Sequence, residues 1–540
     1  MKLNQSCLTN REAWEKASIK LPDFDWKNMI KATEESPRWI HFGAGNIFRG
    51  FIAVLQQRLL EEGLEESGII AADTFDYDII DKIYTPFDNM TMMVSLKPDG
   101  TLDREVIASV ARGVKADVGN ELDFGYLAEV FGKQSLQMVS FTITEKGYAL
   151  KNFRGEFFPV VEKDMEDGPE KASHAMSVVT ALLLKRYLAG GFPLALVSMD
   201  NCSHNGEKLK DSIVSIAKAW TEKGYAPEGF LAWISDENKV SFPWSMIDKI
   251  TPRPAKEVQL SLEEAGLEDM APIITSKNTY IAPFVNAEIP QYLVVEDCFP
   301  NGRPKLEKAG VYFTDRDTVN RTERMKVTTC LNPLHTALAV FGCLLGYKSI
   351  AAEMRDGDLK SLVEIIGYKE GLPVVTDPGI LSPEDFIREV IEYRLPNPFI
   401  PDAPQRIATD TSQKIPIRFG ETIKAYLADD QLDVQTLTAI PLAIAGWIRY
   451  LLSVDDEGNL MEVSSDPMLS ELKEQLKGIK LGEKPEEKEG LEEILSNPVL
   501  FGTDLVSAGL SDKIETMLFE MLMGPGAVRK TLHKYVKDVL

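Results

Sequence analysis

Trp39-Ile40-His41-Phe42-Gly43-Ala44-Gly45-Asn46-Ile47-Phe48-Arg49-Gly50 carries an apolar run of strand length straight into a pair of glycines, and a helix-patterned segment follows to about Glu62. A glycine pair at a strand-to-helix turn lets the backbone approach a pyrophosphate, and the helix N-terminus supplies N–H groups and positive dipole. Gly43 to Arg49 is therefore the candidate cofactor turn, with Phe48 standing where G-x-G-x-x-G has its third glycine. The next strand candidate, Ile69 to Ala72, ends at Asp73, placed to accept from a ribose 2′-hydroxyl and to repel a 2′-phosphate, which favours NAD over NADP. Asp73 lies 28 residues after Gly45 rather than about 20, as a longer crossover helix would allow. The alternative is a structural turn in which Asp73 caps a loop.

Outward from this turn, strand-length apolar runs alternate with helix patterns from Trp39 to about Ser235, the form of a Rossmann-like α/β sheet. Further strand candidates are Gln137 to Ile143, Leu194 to Ser198 and Phe230 to Ile234. Met92 to Leu96 and Glu105 to Val110 flank Lys97-Pro98-Asp99-Gly100, a turn sequence, and predict an inserted β-hairpin. After about Asn320 the texture becomes helical: Leu334 to Tyr347, Pro383 to Tyr393, Glu421 to Leu427, Leu437 to Leu452 and Asp512 to Met523. The expected division is 1–315, an NAD-binding domain, and 316–540, a mostly helical substrate and catalytic domain. Two acidic, lysine-bearing stretches, Val161 to Glu170 and Lys480 to Glu493, are expected to be solvated loops or faces.

Across 540 residues, 44% are hydrophobic and 26% charged, ordinary globular usage. The net charge of −24 argues against broad binding to nucleic acid or anionic membrane. Five cysteines form no C-x-x-C pair, which fits a reducing compartment and disfavours structural zinc. No apolar signal segment follows Met1, so a cytoplasmic location is expected. Leu437 to Leu452 approaches membrane length but carries Pro441, Gly446 and Arg449, and reads as a buried helix.

Chemistry concentrates in Glu323-Arg324-Met325-Lys326-Val327-Thr328-Thr329-Cys330-Leu331-Asn332-Pro333-Leu334-His335. Oxidising an alcohol without metal needs a base for the hydroxyl proton and donors for the developing oxyanion while hydride goes to nicotinamide. Lysine, asparagine and histidine supply such groups. Read structurally, Glu323 and Lys326 form a helix-surface pair, Asn332-Pro333 starts a helix, and His335 is a core residue.

The sequence resembles the polyol-specific long-chain dehydrogenase/reductase (mannitol dehydrogenase) family over most of its length. The matching blocks are His41 to Arg49, Thr142 to Tyr148, Ser198-Met199-Asp200-Asn201 with Asn205-Gly206, Asp248-Lys249-Ile250-Thr251-Pro252, Glu323 to His335, and Arg406 to Lys414. The resemblance implies a metal-independent NAD enzyme with its active site between an N-terminal Rossmann domain and a helical C-terminal domain. It implies Lys326 as general acid/base, Asn201 and Asn332 as the oxyanion pair, and His335 as the substrate-orienting histidine. Glu323 would link the lysine to solvent, and Asp248, Arg406 and Lys414 would contact the sugar chain.

One departure stands out: the family usually spaces lysine to asparagine by five and lysine to histidine by eight, whereas here the steps are six and nine. On an unbroken α-helix the nine-residue step sets Lys326 and His335 on opposite faces. Either the helix begins at Pro333 or a π-bulge takes up the additional residue. Family substrates are neutral ketoses or anionic keto-uronates. Arg406, Lys414, Lys249 and Arg253 offer cations for the latter, so reduction of fructuronate to mannonate is expected, with mannitol 2-dehydrogenase or tagaturonate reductase activity as alternatives. Surface pairing is the other reading of Lys249 and Arg253. A nucleotide-binding regulator without chemistry is the competing class; a zinc-dependent dehydrogenase lacks ligand spacing.

Overall fold

Six strands form the first sheet: β1 (Trp39–Phe42), β2 (Ile69–Asp73), β3 (Val110–Lys115), β4 (Met138–Phe141), β5 (Leu194–Ser198) and β6 (Val240–Ser241). All pair parallel in the order β3-β2-β1-β4-β5-β6. This is the doubly wound order, whose crevice opens beyond the carboxyl ends of β1 and β4, where the winding reverses. Parallel neighbours require crossovers that cover both faces, and so β1, β2 and β5 are buried at every position. Helices α1 (Ala53–Glu61), α2 (Glu121–Gly132), α3 (Ala175–Leu188) and α4 (Asn205–Glu222) supply the cover. Ile40, Phe42, Ile70, Val139 and Phe141 join Leu127, Leu182 and Ile213 in one core; Trp39, Ala71, Met138 and Val197 join Phe51, Leu55 and Leu59 in the other.

The structure describes residues 1–482 and 489–537. The chain forms two units, Met1–Lys97 with Thr101–Asn320, and Arg321–Leu540 with Pro98–Gly100.

Two strand expectations are corrected. Phe230 to Ile234 lies in a helix, Glu228–Ser235, whose buried Phe230, Trp233 and Ile234 follow helical spacing; β6 comes later and is two residues long. The hairpin exists, Thr91–Leu96 against Leu102–Ile107, antiparallel. Its second arm stops at Ile107 rather than Val110, because Ala108 N donates to Gln57 and Ser109 Oγ to the Ala53 carbonyl, a corner after which β3 enters the first sheet. The hairpin itself sits in a separate four-stranded sheet with Ile19–Lys20 and Phe284–Glu288. Of the acidic stretches, 159–167 is a helix with Val161, Asp164 and Met165 buried, and 483–488 lie outside the described residues.

The second unit is helical. Helix α5 (Arg316–Met325) leads through a turn at 326–330 into α6 (Asn332–Leu344), followed among others by α7 (Thr411–Arg418), α8 (Ala439–Leu451) and α9 (Ser511–Met521). Every residue of α8 is buried, the outcome expected for Leu437 to Leu452. Its N-terminus is satisfied by Glu370, which accepts from Thr438 N (2.5 Å), Ala439 N (2.6 Å) and Ile440 N (2.8 Å). The run Arg316–Leu344 is long and apolar enough to cross a membrane by composition, but 78% of its apolar window is buried within the protein.

Candidate active site

In the first unit, β1 turns at Gly43, whose φ of +104° and whose hypothetical Cβ, 2.2 Å from the Thr142 carbonyl oxygen, admit only glycine. Gly45 differs: a Cβ there meets nothing within 4 Å, so the turn faces open space in the place where a pyrophosphate docks in this fold. Phe48 fills the third-glycine position because the helix opens as a π turn, Phe48–Ile52, and the ring stacks on His41 with centroids 4.2 Å apart. Close packing passes instead to Gly50, whose Cβ would lie 2.7 Å from Val285. Arg49 is buried, donating to the Ala282 carbonyl and to Asn46 Oδ1, both at 2.8 Å; burial draws its pKa down to about 10. Ile47 packs on the adjoining core.

A polar relay anchors this turn. Trp39 Nε1 donates to Ser140 Oγ (2.7 Å), His41 Nδ1 meets Ser140 Oγ (2.7 Å), His41 Nε2 meets Thr142 Oγ1 (2.8 Å), and Thr142 donates to the Gly43 carbonyl (3.3 Å). Burial lowers the His41 pKa to about 3, so the ring is neutral. Hydrogen-bond direction then assigns the proton to Nε2. Asp73 closes the other side: Oδ2 accepts from Ala44 N (3.1 Å), Oδ1 from Phe75 N (2.9 Å) and Asp76 N (2.7 Å). Burial raises its pKa and those three donors oppose the rise. Three of about four acceptor positions of the carboxylate are thus committed to backbone, and one is left uncommitted among the described residues. The open glycine turn, the helix start and the strand-end acid fit a dinucleotide.

At the switch point, Asp200 accepts from Ile143 N and Thr144 N, both at 2.9 Å, and from Tyr148 at 2.6 Å, which fixes the 142–148 block to the 198–201 block. Thr144 holds φ +64°, a strained conformation for a β-branched residue. Asn205 donates to the Asp200 and Ser245 carbonyls, and Gly206 lets residues 242–244 pass, a Cβ there lying 2.6 Å from the Phe242 oxygen. These ties locate Asn201, which is exposed, and Asp248, buried at the end of strand Ser245–Asp248. Lys249 donates to the Glu288 carbonyl and Arg253 is exposed.

In the second unit, the additional residue between Lys326 and Asn332 is taken up by a π turn, Lys326–Cys330, with Leu331 N donating to the Lys326 carbonyl five residues back at 3.1 Å. Leu331 then breaks the helix at φ −128°, and α6 restarts at Asn332 with Pro333 in its first turn. A π turn holds one more residue than an α turn, so the additional residue is absorbed within 326–330 before α6 begins. Lys326 is buried, 3% exposed. Glu323 lies one turn earlier on α5.

His335 Nε2 lies 3.3 Å from Asp402 Oδ2, within ion-pair reach but without hydrogen-bond geometry. Asp402 also pairs with Arg406; burial pushes its pKa up, but His335 and Arg406 hold it below the ordinary value. Lys414 Nζ donates to the carbonyls of Ile407 (3.0 Å) and Thr409, and its pKa is lowered by burial first and by Arg418 next. Asp402 and Asp200 were not singled out in the sequence; the four-residue step from Asp402 to Arg406 was the available signal for the first. Among the described residues no three His, Cys, Asp or Glu side chains gather as a metal site would.

Two family models match the chain in succession. Residues 37–308 match the mannitol dehydrogenase Rossmann domain and residues 318–522 the mannitol dehydrogenase C-terminal domain. A D-mannonate oxidoreductase of Thermotoga maritima is 52% identical over 99% of both chains, and a mannitol 2-dehydrogenase of Aspergillus clavatus is 29% identical, again over 99% of both. A substrate-free D-sorbitol dehydrogenase crystal structure superposes with TM-score 0.79 at 26% identity, covering 96% of this chain and 98% of that one. The Pseudomonas fluorescens mannitol 2-dehydrogenase ternary complex with NAD and D-mannitol shares the fold, TM-score 0.67 at 24% identity over the whole of both chains.

Proposed function

The chain belongs to the mannitol dehydrogenase family, and from that premise we propose that it is an NAD-dependent oxidoreductase interconverting D-fructuronate and D-mannonate. The observation that carries this reading is the end-to-end likeness, at 52% identity, to a D-mannonate oxidoreductase. The Gly43–Arg49 turn and Asp73 would hold the dinucleotide, whose reduced form would supply the hydride for the keto carbon and whose oxidised form would accept it in the reverse direction. Asn201 and Asn332 hold the developing oxyanion by their carboxamide N–H groups. Lys326 gives that oxygen its proton in reduction and removes it in oxidation, Glu323 carrying the proton onward to solvent. His335, held by Asp402, orients the substrate; Asp248, Arg406 and Lys414 bind the sugar chain. A reducing cytoplasm suits the five free thiols.

The test is loss of nicotinamide absorbance with a panel of D-fructuronate, D-tagaturonate and D-fructose. Fructuronate is expected to be reduced fastest. Turnover no faster with fructuronate than with fructose would defeat the assignment in favour of a mannitol 2-dehydrogenase, and tagaturonate in first place would favour the tagaturonate reductase reading.

A further inference from the structure

Three cations lie on the segment from Arg406 to Arg418, and two of them are already engaged. Arg406 pairs with Asp402 and its side chain is 63% exposed. Lys414 gives two of its three ammonium hydrogens to backbone carbonyls. Arg418 is different. It is half-buried at the end of α7, and among the described residues its one partner is a hydroxyl, Thr336 Oγ1, 2.6 Å from Nη1. Among the described residues no carboxylate offsets its charge, and burial draws its pKa to about 10. A guanidinium carries five donors in a planar fork, so Nε and Nη2 are left with hydrogens to give.

Holding a half-buried cation without a counter-charge carries a cost, and Lys414 with Arg418 at i and i+4 on one helix face adds like-charge repulsion. Local conflict of this kind persists where function uses it. The position supports that use. Thr336, next to His335 on α6, passes its own hydroxyl hydrogen to the main-chain carbonyl of Asn332 one turn back at 3.0 Å, so Arg418 is tied to the turn of α6 that carries Asn332 and His335.

We infer that Arg418 binds the substrate carboxylate and is the residue that selects a keto-uronate over a neutral ketose. The inference rests on the keto-uronate reading above, since a neutral polyol end offers this fork no charge. A carboxylate matches the fork with two parallel hydrogen bonds, which an ammonium cannot reproduce.

The test crosses two enzymes with two substrates: wild type and Arg418→Gln, each with D-fructuronate and with its primary amide, which has nearly the same shape and no charge. In the wild type the amide is expected to raise KM by about ten- to hundredfold, the range for losing a charged hydrogen-bond partner. In Arg418→Gln the KM for fructuronate rises by a similar factor with kcat changed less, and the amide penalty shrinks to about threefold or below. Arg418→Lys, which keeps charge without the fork, falls between, and it carries the comparison if the glutamine variant does not fold. Unchanged NAD affinity and melting temperature separate the effect from lost structure. An amide penalty as large in the variant as in the wild type, or a fructuronate KM within twofold of wild type, overturns the inference. A wild type inert toward fructuronate would sink the parent reading alone; Arg418 would then be judged by calorimetric binding of D-mannonate, whose affinity must drop at least tenfold in Arg418→Gln.

Discussion

Two buried ionisable residues show how position decides what a side chain does. Lys326 sits at the start of a π turn, 3% exposed. Lys326→Ala is expected to lower kcat by about 10²- to 10⁴-fold, the span for losing a general acid/base, with NAD affinity unchanged by fluorescence titration. Near-normal turnover would remove Lys326 from the mechanism. Glu353 has no comparable task. Among the described residues both its buried carboxyl oxygens have no hydrogen-bond partner, and burial, with Asp356 adding, raises its pKa from 4.5 to about 9. The folded protein therefore keeps a proton that the unfolded chain loses above pH 4.5, and stability falls as pH rises from there toward 9. At pH 7 the loss is about 3 kcal/mol relative to acid. Glu353→Gln should raise the Tm at pH 8 more than at pH 5. An equal shift at both would show that the carboxyl is ionised in the fold.

At the scale of elements, the π turn at 326–330 and the Glu370 cap invite separate experiments. One alanine inserted after Thr328 would turn Lys326 by roughly 100° against α6, so kcat should collapse while the melting temperature moves little. Activity retained would mean that the turn repacks freely. Glu370→Ala strips three N–H groups of α8 of their acceptor and should cost about 3 kcal/mol, read as a lower urea midpoint at unchanged slope. The strands β1, β2 and β5 were legible because burial on both faces writes an unbroken apolar run. The same logic misread Phe230 to Ile234, where a short apolar run hides i, i+3, i+4 spacing, and it passed over β6, whose two residues are too few to leave a pattern. The candidate site divides similarly. Its motif blocks stood out in the sequence, but Asp200 and Arg418 take their meaning from partners 52 and 82 residues away.

For the molecule as a whole, a net charge of −24 meets a cofactor and a proposed substrate that are both anionic. Long-range repulsion slows such encounters, and salt screens it beyond about 10 Å at 0.1 M. Raising ionic strength from about 0.01 to 0.1 M should therefore increase kcat/KM for fructuronate at low substrate, while a neutral ketose shows no change. A decrease would mean that local cations govern the approach. The two halves were distinguishable in the sequence because alternating short apolar runs give way to long amphipathic stretches near residue 320. How Thr91–Leu96 and Leu102–Ile107 leave the first sheet for another was not legible, since that depends on the corner bonds at Ala108 and Ser109.

Asp73 carries a lesson for anyone wishing to retune this dehydrogenase toward a phosphorylated coenzyme. Neutralising the acid proposed to face the ribose is the obvious first move, yet the same carboxylate knots together the peptide N–H groups of Ala44, Phe75 and Asp76. Replacing it would relax repulsion and unpick the loop in a single stroke, so a redesign must restitch those three amides before selectivity can be judged.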